Sequence, residues 1–552
     1  MNSSPSDPAP KRICRRFDIR DLPGTPGRKT ALLVNPPVYD TQYWAEWSQP
    51  YGLLRIAALL KKHGYRKVWL YDFMEADEDR RVRSNRINPH ETYEERSWPD
   101  ARVTPIVIRK DSEELQLFKR HFGRTWDDFE EWLKRRGLTR KNPPSEVWIS
   151  SVMTYWWEST RDLTARLRRY FGKRARIIVG GIYPTLAPQH AAGMTAADII
   201  VAGEVEEAND LWVDVSLYPR RPAYAIITPS RGCPYDCSYC AQKMINAGTP
   251  RVRFRDPHDV IAEMRHQYQK YGIRDFAFYA DFLLINFRYN IIPILQHIIK
   301  ENLPFRLYAP EGLDTRYLSQ SQELLDLMKA AHFQKIYLPV ESVDDEYVRT
   351  LNRRHVRLEH FVKASAMCQK AGFQLRNLDV NAFVLYGLPN ENIDRVVKTT
   401  LFVSEVVGSI IPMLFTPVPS TRIFAEHLPY FHARGWDTNL HMLNGKLFPF
   451  LDLNEGSISD YIDLQRLMFM LNAHYRSESF RVFGSSRVSR SLLENVRNGF
   501  EGFVSLYRAG GLALSGRTES GPVGSEARED GARGAQSGAP DDLQLGLRGS
   551  KL

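Results

Sequence analysis

Three of the five cysteines in this 552-residue chain fall in one short segment, Ser230-Arg231-Gly232-Cys233-Pro234-Tyr235-Asp236-Cys237-Ser238-Tyr239-Cys240. Such crowding is not the spacing of a disulfide framework. It brings three soft thiolates to one small site, and sulfur ligands select zinc, copper(I) or iron–sulfur clusters. A structural zinc would want a fourth ligand, and the nearest candidates, His258 and His266, stand at no familiar zinc spacing. The favoured occupant is a [4Fe-4S] cluster bound by Cys233, Cys237 and Cys240, which then form the catalytic core. Three ligands for four irons leave one iron open, as a catalytic site requires and a pure electron carrier does not. Tyr239, directly before the last cysteine, is suited to shield the cluster and stack on a planar ligand.

The elements that must position this loop are read from the alternation of apolar runs and helical patterns around it, the signature of stacked βα units on a parallel sheet. From about residue 222 the runs AYAIITPS, DFAFYAD, FRLYAPE, KIYLPVES, LDVNAFVLYG and SIIPMLFTP predict six strands, hence a partial (β/α)6 barrel with its active face at the strand ends. The cysteine segment follows the first of them. An earlier block predicts strands at 30–37, 67–73, 146–152, 175–181 and 197–204 in a doubly wound, Rossmann-like α/β domain. Between the first two of these strands, Leu53, Ile56, Ala57 and Leu60 share one helical face. Ligands of such sheets bind at the carboxyl ends of the strands, where the sequence puts Asn35-Pro36-Pro37, Ser150-Ser151, Gly180-Gly181 and Gly203-Glu204. Residues 76–145 interrupt the block. In their latter half Phe118, Phe122, Trp126, Phe129 and Leu133 have helical spacing, which predicts a helical insertion packed on the sheet.

With the cysteine spacing and its place after a first strand, the chain resembles the radical S-adenosylmethionine (SAM) superfamily. Further segments recur in order: Tyr279-Ala280-Asp281 is similar to the segment that meets the methionyl amino group, although its usual glycines are missing. Glu341-Ser342 resembles the ribose-binding pair, and the arginines of LNRR, Arg353 or Arg354, stand where one commonly meets the methionyl carboxylate. Gly387-Leu388-Pro389 with Glu391 resembles the turn that supports the adenine, and Phe415-Thr416-Pro417 the motif of strand six. The resemblance implies SAM held by Tyr239, Tyr279, Asp281, Glu341, Ser342, Arg353, Gly387 and Thr416. Two oxygens make a carboxylate such as Glu341 apt for two ribose hydroxyls. It implies as well a 5′-deoxyadenosyl radical that abstracts hydrogen from substrate.

Joined to such a core, the first block resembles the cobalamin-binding domain of the superfamily's cobalamin-dependent branch. The resembling residues are Asn35, Pro36, Tyr51, Gly52, Ser150, Ser151, Met153, Thr154, Tyr155, Gly180, Gly181, Tyr183, Gly203 and Glu204, which the resemblance makes cobalamin-binding. Glycines let backbone approach a flat ligand without a Cβ in the way, and the hydroxyls supply donors. No Asp-x-His-x-x-Gly occurs, so the lower face of cobalt is expected to lack histidine, with Trp44, Trp47, Tyr155 and Trp156 as candidate aromatic screens. The implied function is methyl transfer from methylcobalamin to an unactivated carbon. A non-methylating rearrangement, cyclisation or oxidation is the alternative, and a non-catalytic corrinoid sensor or carrier the alternative of another class. A methylthiotransferase is disfavoured, because a second cluster needs three more N-terminal cysteines and only Cys14 is there.

The remaining composition bounds the setting. Hydrophobic residues make up 43% of the chain and charged residues 25%, so wholesale disorder, collagen and coiled coil are excluded. The formal charge of +10 is spread along the chain and comes with no helix-turn-helix, zinc-finger or RNP signature, so nucleic acid is not an expected partner. No apolar stretch is long enough to span a bilayer and no secretory h-region follows the N-terminal basic residues, which predicts a cytoplasmic protein. Expected partners are a small-molecule or peptide substrate and a reductant such as flavodoxin or ferredoxin. The predicted layout is a disordered leader (1–29), a cobalamin-binding domain (30–215), a radical SAM core (216–430), a small, mainly helical C-terminal domain (431–508) and a disordered tail (509–552).

Overall fold

The computed structural model describes residues 12–25, 27–43, 49–75, 104–246 and 251–475. The predicted tail and the last part of the predicted C-terminal domain lie outside the described residues, as do Trp44 and Trp47. The N-terminal block contains β1 (Arg12–Cys14), β2 (Thr30–Asn35), β3 (Val38–Asp40), β4 (Lys67–Asp72), β5 (Thr104–Lys110), β6 (Glu113–Phe122), β7 (Glu146–Ser150), β8 (Arg176–Gly180) and β9 (Ile199–Val201). Six of them form a parallel sheet in the order β1-β9-β8-β7-β2-β4. All six residues of β2 are buried, as a central parallel strand covered on both faces requires. Its neighbours β4 and β7 lie on opposite sides, so the connections reverse direction between β2 and β7, the switch point where such sheets hold ligands.

Two expectations for this block are corrected. The leader is not uniformly free: residues 12–14 pair with Ile199–Val201 as the outermost strand, covering an edge of β9 that would otherwise lack hydrogen-bond partners. The insertion is only partly helical. Phe118 and Phe122 lie in β6, which pairs antiparallel with β5 from Thr104↔Lys119 to Lys110↔Glu113 and with β3 on its other side. Alternating burial of Ile106, Ile108 and Leu115 shows a period of two, and the helical period begins only at Trp126–Arg135, behind a capping box of Thr125 and Asp128.

The second half of the chain contains β10 (Tyr224–Ile227), β11 (Ser230–Arg231), β12 (Arg253–Phe254), β13 (Asp275–Phe278), β14 (Arg306–Tyr308), β15 (Ile336–Pro339), β16 (Val380–Tyr386) and β17 (Ile410–Leu414). All six predicted barrel strands are present, in two parallel triplets, β10-β13-β14 and β15-β16-β17. A single bridge, Leu307↔Phe333, and the Leu313 N–H donated to the Tyr337 carbonyl (2.8 Å) connect the triplets. β11 and β12 form a short antiparallel ribbon at the mouth of β10.

The predicted C-terminal domain does not fold apart among the described residues. Short turns of 3-10 helix lead to the helix Ile458–Tyr475, whose Leu464, Leu467, Met468 and Leu471 join the same core as Val380, Ala382 and Val384. Asn472 clasps the outer edge of β17, accepting from the Ile410 N–H (2.7 Å) and donating to the Ile410 carbonyl (2.7 Å). The two halves of the molecule are stitched together by buried polar contacts: Asp40 accepts from Asn444 and Lys446, and Tyr218 donates to Asp72. Among the described residues, no helix is long and apolar enough to cross a membrane.

Candidate active site

The cysteine loop leaves β11 at Gly232, whose φ of 95° and position permit no side chain: a Cβ there would stand 2.4 Å from the Arg251 carbonyl oxygen. Asp281, beyond β13, fixes the loop by accepting from the Gly232 N–H (2.6 Å) and from Asn246 (2.9 Å). On the other side the LNRR segment holds it, with the Ser238 N–H and hydroxyl both donating to the Leu351 carbonyl and Asn352 donating to that of Asp236 (2.6 Å). Cys237 is buried, Cys233 half-buried and Cys240 exposed.

The sulfurs lie close enough to sense one another's charge. Burial pushes the Cys233 thiol up to about 12 and raises that of Cys237, with Arg353 opposing the rise at Cys237. At neutral pH they are therefore thiols, and metal binding must expel their protons. Among the described residues, no three His, Cys, Asp or Glu side chains converge as ligands of a single metal ion. Three free thiols on one loop fit a cubane, which receives each thiolate at a different iron.

Sequence left Arg353 and Arg354 undistinguished; the structure separates them. Arg354 points outward, whereas Arg353 turns in, its Nη1 3.8 Å from the Cys237 sulfur and its Nε 2.8 Å from Glu341 Oε1. The charges of Arg353 and Glu341 touch without an aligned hydrogen bond at Nε. Tyr239 completes the group, donating its hydroxyl to Glu341 (3.3 Å) under the Arg353 guanidinium. Glu341 sits at φ 63°, a left-handed conformation that costs a glutamate about 1–3 kcal/mol and is found where function over-determines the backbone.

The other residues expected at SAM have hydrogen-bond partners within the chain or line a cavity. Ser342 accepts from the Asp344 N–H (3.1 Å) as a turn cap, and Thr416 accepts from the Gly445 N–H (2.9 Å). Asp281 is occupied by the cysteine loop. Gly387, at φ 85°, donates its N–H to the buried carboxylate of Glu391 (2.8 Å), which also accepts from Tyr461 (3.2 Å) and is pushed up to about 7 by burial. Tyr279 lies on the wall of an internal space.

That space is a cavity of about 420 Å³ at the switch point of the N-terminal sheet, closed on its far side by the barrel residues Ile226, Arg231, Ile245 and Tyr279. Asn35, Pro36, Tyr51, Gly52, Ser150, Ser151, Met153, Gly180, Gly181, Gly203 and Glu204 all line it. Thr154, Tyr155 and Tyr183 do not. Tyr183 is fully buried with its hydroxyl on His190 (2.8 Å), Thr154 is buried, and the Tyr155 carbonyl faces His441 (3.0 Å). Of the candidate aromatic screens that are described, Trp156 reaches the wall, its indole N–H donated to Asp40 (2.9 Å). At Gly181 a Cβ would meet the Ser151 carbonyl oxygen at 2.5 Å, so bare backbone forms that part of the cradle.

Two features escaped the sequence reading. Glu204 is clamped by Arg231 (2.9 Å) and Arg253 (2.7 Å), which ties the N-terminal sheet to the ribbon that launches the cysteine loop. Arg55, on the buried face of helix Tyr51–Lys62, lines the cavity as well. Its signal was available: one arginine inside the apolar run Leu53-Leu54-Arg55-Ile56-Ala57.

Residues 227–403 match the family described as the Radical SAM superfamily, over the strands and loop that carry the three thiols. That segment is a radical SAM domain. The [4Fe-4S] cluster and SAM are accordingly the cofactors of its radical SAM domain. Curated relatives include the hopanoid C-2 methylase of Rhodopseudomonas palustris (27% identical, 26% of this chain and 28% of the relative). A second is the bacteriochlorophyllide d C-12(1)-methyltransferase of Chlorobaculum tepidum (21%, 56% of this chain and 74% of the relative). A third is a tRNA-2-methylthio-N(6)-dimethylallyladenosine synthase of Oceanobacillus iheyensis (29% identical), of whose length the chain spans 33%. Among solved structures, OxsB, a cobalamin-dependent S-adenosylmethionine radical enzyme, has the same fold at a TM-score of 0.50 with 10% identity, over 87% of this chain and 72% of that one.

Proposed function

We propose that the protein is a cobalamin-dependent radical SAM methyltransferase acting on an unactivated carbon. The observation that carries this reading is the shared wall. Arg231, two residues before Cys233, and Tyr279, two before Asp281, both face the cavity, so the cysteine site and the cavity sit back to back. When bound, the cluster and SAM would supply a carbon radical and cobalamin a transferable methyl group. The chain's part is to orient and exclude water. Cys233, Cys237 and Cys240 would hold the cluster, Glu341 would accept from ribose hydroxyls, and Arg353 would meet the SAM carboxylate, which requires it to leave Glu341. The glycine-backed wall at Gly180 and Gly181 would take the face of a corrin, with Ser150 and Ser151 offering hydroxyls at its rim. The methyl transfer named for two of the relatives supports the same reading.

The test is anaerobic reconstitution with iron, sulfide and hydroxocobalamin, followed by reduction with SAM. Formation of 5′-deoxyadenosine together with a substrate-derived product heavier by one methylene supports the proposal. 5′-Deoxyadenosine with a product of another mass supports the non-methylating alternative, and bound corrinoid without 5′-deoxyadenosine supports the carrier. A methylthio-transfer reading asks for a second cysteine set, and the chain has only Cys14 and Cys368 beyond the loop, both buried.

A further inference from the structure

Arg55 is 4% exposed and in the cavity wall. One edge of its guanidinium donates to the Thr228 hydroxyl at the end of β10, while its Nε is buried with no acceptor among the described residues. It forms no ion pair among them. The carboxylate that it senses most, Glu263, is taken up by Arg255 (2.7 Å) and the Val213 N–H (2.9 Å). Arg231, also on the cavity wall, and Arg255 add like charge nearby. Burial lowers the guanidinium to about 10, which leaves it charged at neutral pH. A buried charge with no counter-charge is strongly unfavourable, and a protein keeps one where a ligand supplies the missing partner.

We infer that Arg55 takes an anionic oxygen of the molecule that fills the cavity, and that this oxygen belongs to the phosphodiester of a corrinoid's nucleotide tail. The inference rests on the corrinoid reading above. Cobalamin's ring side chains are neutral amides, so its tail phosphate is the group with a matching charge. A guanidinium meets phosphate oxygens through paired N–H donors, which an ammonium does not reproduce. In the empty protein Arg55 is a liability; in the filled one it becomes half of a charge pair in a low-dielectric setting.

The test uses the full-length protein, titrated with hydroxocobalamin and with diaquacobinamide, which has the same ring but lacks the phosphate-linked tail, and read by absorbance and equilibrium dialysis. Wild type is expected to bind cobalamin about tenfold or more tightly than cobinamide. Arg55→Met should erase that preference by weakening cobalamin alone, and Arg55→Lys should restore part of it. Arg55→Met should also raise the Tm of the ligand-free protein, because it removes an unpaired buried charge. The inference is overturned if Arg55→Met weakens both ligands alike, if it leaves the preference intact, or if wild type binds both equally. Wild type that binds neither compound overturns the corrinoid reading itself. If Arg55→Met fails to fold, Arg55→Gln, which keeps polar atoms near Thr228, takes its place with the same expected loss of preference.

Discussion

The cysteine loop and the cavity behind it are built in opposite ways. The loop concentrates its chemistry in one short segment, where Gly232, Asp281 and the LNRR segment serve to fix three sulfurs. The cavity is scattered: its walls come from the ends of several strands and from a helix that begins at Tyr51, in short runs spread between Asn35 and Tyr279. A local motif survives any fold that exposes it. A distributed wall exists only once the sheet has closed, so the cavity depends on the whole N-terminal half, and the loop on its immediate neighbours.

That contrast can be broken experimentally. The largest effect is expected at Cys233→Ala, which should abolish the iron–sulfur absorption and 5′-deoxyadenosine formation, whereas Cys14→Ala and Cys368→Ala leave both. Equal behaviour of the three would remove the special status of the loop. Gly181→Val should cost about 2 kcal/mol or more in Tm-derived stability and eliminate corrinoid uptake while iron content is preserved, since its Cβ collides with the Ser151 carbonyl. Iron lost in parallel with corrinoid would mean that the two regions are not independent. Glu204→Gln takes the carboxylate from between Arg231 and Arg253 and should destabilise the protein by about 2 kcal/mol in thermal unfolding, the signature of a seam rather than a ligand contact. Arg353→Lys keeps the charge but not the fork, and SAM affinity should fall about tenfold by isothermal titration with the cluster retained. The smallest effect concerns Glu391. Its carboxyl is raised to about 7 in the folded chain, so the folded state holds the proton longer than the unfolded one and stability falls as pH rises through that value. Between about pH 6 and about pH 8 the loss should be about 1 kcal/mol, and Glu391→Gln should flatten it.

Which parts were legible follows from the same contrast. The barrel strands and the five main strands of the first block announced themselves through apolar runs and turn residues, and the cysteine loop through spacing alone. β1 was hidden because three residues carry no period. β6 was misread because Phe118, Phe122 and Trp126 happen to stand at helical intervals, while the turn at Asp111-Ser112, with Asp111 at φ 52°, marked a hairpin. Asp281 and Thr416 accept from backbone N–H groups and Tyr279 faces the cavity, placements that the sequence alone does not carry. Sequence position puts a residue at a strand's end but does not say which side of the barrel mouth its side chain turns to. Arg55 shows the converse, a residue whose oddity is visible in the sequence but whose reason needs the cavity.

Asn472 carries a consequence for protein engineering. Its side chain mimics a neighbouring strand at one residue of β17, occupying both the hydrogen and the oxygen that Ile410 turns away from the sheet. A chain truncated ahead of it would present a bare ladder to the solvent, and such a ladder recruits whatever extended peptide it meets, other copies of itself first. Shortened versions of this protein intended for crystallisation should end beyond that asparagine if they are to stay monodisperse.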